Sequence, residues 1–243
     1  MSLKANHILN VAKLVKRFGG FSALDGLSFH VVPGEILGLV GPNGSGKTTA
    51  INVISGLYAP DGGEVTLDGE PIGGVASHKL VHLGINRTFQ VPKPFMSLTV
   101  RENVKVALAY GRAGEAPPAI ADLLNEYRLD GLADRQASEL NSAQQKILDL
   151  VRALATRPRL LLLDELAAGL NPAELDWIAE RIKALASGGT AIIVVEHLMG
   201  FIEHITDRVI VLNAGKEIFE GKLAEAVKEQ EVIEVFLGAE HAA

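Results

Sequence analysis

A chain of 243 residues, 48% hydrophobic and 21% charged, can bury the core of one large α/β domain or two small ones. Its formal net charge is −6 with no run of five or six like charges, so there is no basic arm or phosphate-tracking face, and nucleic acid is not expected as a partner. The lack of cysteine excludes a disulfide framework and a thiolate metal site, the apolar runs 160–163 and 191–195 fall far short of the ~18 residues of a membrane-spanning helix, and the opening Met1-Ser2-Leu3-Lys4-Ala5-Asn6 lacks the basic-then-apolar pattern of an export signal.

Strand-like segments come first, at 27–32 and 36–40. Between the second of these and an apolar-patterned helix over 49–57 stands Gly41-Pro42-Asn43-Gly44-Ser45-Gly46-Lys47-Thr48, which fits G-x-x-x-x-G-K-[ST]. Phosphate binding needs glycine here, because only a backbone without Cβ wraps closely enough for its N–H groups to donate, while the helix N-terminus adds positive potential. Lys47 is then expected to neutralise β/γ-phosphate charge and Thr48 to offer its hydroxyl to Mg²⁺. A further strand is read at 65–67. His78 and His82 follow at i, i+4 on an expected helix, but no third ligand is near, so zinc is not expected there.

From about residue 99 to 157 the strand signals stop. Helical patterns over 100–110 and 143–155 flank the Gly- and Pro-containing stretch 111–118 and read as an inserted helical unit, with Ile147, Leu150, Val151 and Leu154 as a buried stripe. A four-leucine strand, 160–163, then ends in Asp164-Glu165. Buried strands seldom end in two carboxylates. With a P-loop in the same chain, Asp164 is expected to hold the Mg²⁺ shell and Glu165 to polarise an attacking water. The next helix has its start marked by Asn171 as N-cap, Pro172 at N1 and Glu174 at N3, and it carries Leu175, Ile178, Ile182 and Leu185 on one face. Strand 191–195 completes a βαβ crossover. Strand 209–212, Asn213-Ala214-Gly215-Lys216 and strand 217–219 read as a hairpin, followed by one or two short helices on which Glu225, Lys228, Glu229, Glu231 and Glu234 form a solvated face. The alternation of strands and helices indicates an α/β sheet.

In the order of these motifs the chain resembles the ATPase subunits of ABC transporters over nearly its whole length. The resemblance implies a P-loop NTPase fold with a RecA-like core, an antiparallel β-subdomain and a helical subdomain inserted over 91–157, all within one ATPase domain spanning 1–243. It implies that Phe18, before Gly19-Gly20, stacks on adenine. Gly41, Pro42, Asn43, Gly44, Ser45, Gly46, Lys47, Thr48 and Thr49 would hold the phosphates of ATP, and Thr48, Gln90 and Asp164 the Mg²⁺. Gln90, in Arg87-Thr88-Phe89-Gln90, would also sense a transmembrane permease subunit. Glu165, Gln90 and His197 would carry catalysis, with His197 on the γ-phosphate, and Asn171 lies where the family has its D-loop aspartate.

The chain departs from the family at the signature LSGGQ, where it has Leu140-Asn141-Ser142-Ala143-Gln144 at the start of a helix. In the family this segment completes an ATP site of a second cassette, identical or not, across a head-to-tail dimer. Ala143 adds a Cβ where the backbone approaches the γ-phosphate, while Asn141 and Ser142 retain hydrogen-bond donors. Leu166 also replaces the proline that commonly follows the catalytic glutamate.

Within the family, Gly84 to Gln90, Leu98 to Val104 and Ala167 to Pro172 look most like the cassettes of branched-chain amino acid importers, and urea or lipopolysaccharide transporter cassettes are similar. Such a subunit would sit in the cytoplasm, held to the inner face of the cell membrane by the permease subunits. A soluble ATP-dependent regulatory switch is the competing reading, which an intact Glu165 and His197 disfavour.

Overall fold

The computed structural model describes residues 7–112 and 118–240, with side chains described to 236. The opening hexapeptide and part of the 111–118 stretch therefore lie outside the described residues. Strands β1 (Leu9–Phe18), β2 (Phe21–Val31), β4 (Gly62–Leu67) and the two-residue β5 (Glu70–Pro71) form one antiparallel sheet in the order β2-β1-β4-β5. The second sheet contains β3 (Ile36–Val40), β6 (Ile85–Arg87), β7 (Leu160–Asp164), β8 (Ala191–Val195), β9 (Arg208–Asn213) and β10 (Lys216–Gly221). Its order is β10-β9-β3-β8-β7-β6, parallel except at the β10 edge.

The leucine- and valine-rich runs become central strands because this parallel sheet is covered on both faces, so every residue of β3, β7 and β8 is buried. One face sends Ile36, Val40, Leu161, Leu163, Ile192 and Val194 against α5 (Ser142–Ala155), α6 (Pro172–Ser187) and α7 (Met199–Ile205). The other sends Leu37, Leu39, Leu160, Leu162, Ile193 and Val195 into a core shared with α1 (Lys47–Ile54), α2 (Ser77–Leu83) and the antiparallel sheet. Each such side chain contributes about 1.5–3 kcal/mol by leaving water.

The stripe Ile147, Leu150, Val151 and Leu154 is buried on α5 as expected, and α6 starts at the expected Asn171 cap, whose side chain accepts from Glu174 N at 3.0 Å. The hairpin turn has positive φ at both Ala214 (45°) and Gly215 (79°), as a two-residue loop requires. Helices α3 (Val100–Ala109), α4 (Ile120–Glu126) and α5 all lie between β6 and β7, and α8 (Leu223–Ala226) and α9 (Gln230–Glu240) follow β10. Among the described residues no helix is long and apolar enough to cross a membrane, and no group of three or more His, Asp or Glu stands together as a metal site.

Parts of the fold were not legible. The β1 strand loses its period-2 alternation because the register with β2 shifts around Lys13, which takes φ 48° and donates its N–H to Ser28 Oγ at 2.8 Å. Gly26, at φ 89°, interrupts β2 in the same way, so that strand begins at Phe21 and not at 27. The short elements β6, with three residues, and α4, with seven, carry too few side chains for a period to show. Helix α1 also begins two residues earlier than expected, at Lys47.

Candidate active site

The five parallel strands place their carboxyl ends along one edge, and the order puts β3 and β7 on either side of β8. Loops leaving these three strands must therefore meet. The P-loop leaves β3 with φ 145° at Gly41, 78° at Gly44 and 109° at Gly46. A Cβ on Gly41 would stand 2.2 Å from Leu212 O, and one on Gly46 2.6 Å from Ala23 O, so packing against β9 and β2 demands glycine at both. Gly44 has open space beside it, and its positive φ is the reason for glycine there. No side chain caps α1, which leaves its first N–H groups for a ligand. Lys47, 5% exposed, donates to Gly41 O at 2.8 Å and Pro42 O at 2.9 Å. Burial holds its ammonium pKa below the usual lysine value, against the opposing pull of Glu165 and Asp164.

At the end of β7, Asp164 is 2% exposed and accepts from Arg87 Nη2 at 3.1 Å through Oδ2, while its buried Oδ1 has no partner among the described residues. Burial raises its carboxyl pKa, with Arg87 pulling the other way. Arg87 is itself fixed by Asn52 Oδ1 at 2.6 Å and Ser55 Oγ at 3.1 Å from α1 and its cap, which ties β6, β7 and the P-loop helix together. Glu165 takes φ 50°, a left-handed conformation rare for a residue with a Cβ, and donates its N–H to Val195 O at 2.9 Å. The turn directs its carboxylate between two side chains: Gln90 Nε2 donates to Oε2 at 2.8 Å, and His197 Nε2 lies 3.0 Å from Oε1. Gln90, Glu165 and His197 are thus brought together from three loops.

A cavity of about 490 Å³ opens here. Its walls are Phe18 and Phe21 from the β1–β2 turn, Asn43, Gly44, Gly46, Lys47, Thr48 and Thr49 from the P-loop and α1, and Gln90, Glu165 and His197. That volume and lining, apolar rings at the turn and N–H groups beside a lysine, suit a nucleoside triphosphate. Asn141, Ser142, Ala143 and Gln144 are not part of it. They form the start of α5, where Asn141 Oδ1 accepts from Gln144 N at 2.8 Å and Gln144 Oε1 accepts from Asn141 N at 3.1 Å, a capping box.

Sequence reasoning missed Phe21, Arg87 and Glu196. A lone phenylalanine or arginine on a strand carries no local signal, and neither does a single glutamate after an apolar strand. Glu196 is 2% exposed, and its Oε1 accepts from Ala167 N at 2.6 Å. Burial raises its pKa to about 7, opposed by the Ala167 N–H and by Lys146. Since the folded value exceeds the unfolded 4.5, the native state keeps a proton that the unfolded chain has released. The contribution of Glu196 to stability is therefore full below about pH 4.5 and falls as pH rises towards 7, by roughly 3 kcal/mol in all. Denaturant unfolding of the wild type and Glu196→Gln at pH 5 and pH 8 is expected to show a larger advantage for the variant at pH 8; an equal difference at both values would show that Glu196 does not titrate in this range.

The family model of the ABC transporter matches residues 24–168. The chain is 37% identical to BraF, the high-affinity branched-chain amino acid transport ATP-binding protein of Pseudomonas aeruginosa, over 95% of this chain and 98% of that one. Its fold is similar to a solved ATP-binding cassette of an ABC transporter in an ADP conformation, with TM-score 0.84, 33% identity and coverage of 96% and 99%. A dimeric cassette bound to ADP and Pi gives TM-score 0.80 at 26% identity, covering 88% of this chain and 98% of that chain. The phosphate cradle on β3, the paired carboxylates ending β7 and these matches along the chain agree: it belongs to the ABC transporter family, as one of its ATP-binding, ATP-hydrolysing cassettes.

Proposed function

We propose that this cassette powers uptake of branched-chain amino acids through separate permease subunits, held by them at the cytoplasmic face of the cell membrane. The transport substrate rests on the likeness to BraF across 95% of the chain. The observation that carries the chemistry is Glu165, held between Gln90 and His197 at the cavity's edge, next to the unpartnered Asp164 Oδ1. That buried oxygen, with the Thr48 hydroxyl and the Gln90 carboxamide, is a donor set suited to Mg²⁺. When bound, Mg²⁺ supplies charge neutralisation of the phosphates.

ATP stacks its base on Phe18 and Phe21 and lays its phosphates along residues 41–49, where backbone N–H groups and Lys47 offset their charge. Glu165 takes a proton from water as the water oxygen bonds to the γ-phosphorus. The bond from that phosphorus to the β,γ-bridging oxygen breaks, and the electron pair leaves with ADP. His197 donates to the γ-phosphate, and so must release Glu165 when the nucleotide enters.

A dimeric cassette among the similar structures supports a pair; in this reading the pair is head-to-tail, and residues 141–144 of one cassette close the ATP site of the other. In this reading α3, α4 and α5, within 91–157, make up the helical unit that carries this segment, inside one ATPase domain assigned to 1–243. With Ala143 in place of glycine, a non-identical cassette is the better partner, and the two ATP sites of such a pair are unequal. Mg²⁺-ATP turnover is expected to rise more than linearly with protein concentration and to increase on mixing with a cassette that has both signature glycines. Co-purification with branched-chain permease subunits tests the rest: a cassette that never binds them is a soluble regulator and not a transport motor.

A further inference from the structure

The loop from Glu165 to Ala168 has an unusual conformation: φ is 50° at Glu165, whose N–H is tied to Val195 O, and Leu166, buried in the core, stands where a proline ring would restrict the backbone. Two buried ionisable side chains meet its backbone from opposite elements. From α5, Lys146, 8% exposed, donates to Glu165 O at 2.6 Å and to Ala168 O at 2.7 Å. From the end of β8, Glu196 accepts the Ala167 N–H. A lysine ammonium removed from water to bond two main-chain carbonyls is an expensive arrangement, and burial does hold its pKa below the usual value. Nothing in the phosphate chemistry uses this ammonium, because it is bonded to the carbonyls and does not line the cavity.

We propose that Lys146 is a positioning residue, which holds the strained turn so that the Glu165 carboxylate faces the cavity. Glu196 completes the hold from the far side through its bond to the Ala167 N–H. Lys146 lies five residues beyond Asn141 on one capped helix, about 7.5 Å along its axis. The helix that presents residues 141–144 to the second cassette therefore also supports this chain's own general base. This inference rests on the hydrolytic reading above, and its test separates the two.

Lys146→Met keeps the length and apolar stem of the side chain and removes its donors; Lys146→Arg keeps them. Steady-state hydrolysis by the full chain is expected to show kcat lowered by up to about 100-fold in Lys146→Met, because a misplaced general base is costly, with KM changed by less than about twofold and much of kcat restored in Lys146→Arg. Hydrogen exchange by mass spectrometry should show faster exchange over residues 165–171 of Lys146→Met while residues 41–49 keep their protection. Retention of wild-type kcat, unchanged exchange over 165–171, or faster exchange throughout the protein would each overturn the proposal. If the unmodified chain shows no turnover at any concentration, it is the hydrolytic reading for this chain alone that fails, and the exchange comparison still decides the role of Lys146.

Discussion

Glu165→Gln is expected to lower kcat for ATP hydrolysis by about 10³-fold and to leave ATP affinity within about twofold. The amide has the size of the carboxylate, so the turn after β7 is undisturbed, and the substituted side chain still offers an oxygen to the Gln90 amide that now bonds Oε2 at 2.8 Å. What disappears is the basic oxygen that accepts the water proton. Neither the P-loop nor Lys47 is touched, so phosphate binding survives, and a protein that binds but does not hydrolyse should accumulate as an ATP-bound dimer. Phosphate release measured beside nucleotide binding and sedimentation checks this. A loss below tenfold would place the general base elsewhere, with His197, 3.0 Å from Glu165, the next candidate.

Lys47→Ala is expected to weaken ATP binding by about 100-fold, the equivalent of one charge-assisted hydrogen bond worth about 3 kcal/mol. The empty protein should hardly notice. Its Lys47 ammonium is buried, with its pKa lowered by desolvation, and among the described residues bonds Gly41 O and Pro42 O. Removing it relieves the cost of burying a charge while giving up those two bonds, so the melting temperature is expected to move by about 3 °C or less. ATP should no longer raise it. Differential scanning calorimetry with and without Mg²⁺-ATP reads both quantities. A variant that melts far lower without nucleotide would show that Lys47 holds the P-loop together as well as the phosphate.

The two variants act on different parts of one geometry, which explains why they separate. Lys47 belongs to a loop whose shape is set by glycine packing against β9 and β2, so affinity is lost without chemistry at Glu165 changing. Glu165 belongs to a turn held through backbone groups by α5 and β8, so chemistry is lost without the cradle changing.

Features whose physics is local were readable from the chain alone. The P-loop needs contiguous residues 41–48 between an apolar strand and a helix; the Asp164-Glu165 pair needs only the leucines before it; and the Asn171–Glu174 capping box closes within one turn. Runs such as 160–163 and 191–195 announce strands covered on both faces because no polar residue is tolerated in them. Phe18, Gln90 and His197 are different. As single residues they carry no chemistry of their own, and it was the family's order of motifs that marked them; the structure places all three around the cavity. Only the tertiary structure decided which groups touch. Gln90, Glu165 and His197 are separated by tens of residues and meet because β6, β7 and β8 end on one edge. Arg87 is legible as a partner of Asp164 only once β6 lies beside β7, and Lys146 as a support for Glu165 only once α5 packs over the sheet. The bulges at Lys13 and Gly26 hid β1 and the start of β2 for the same reason: pairing with another strand, and not the local pattern, stabilises them.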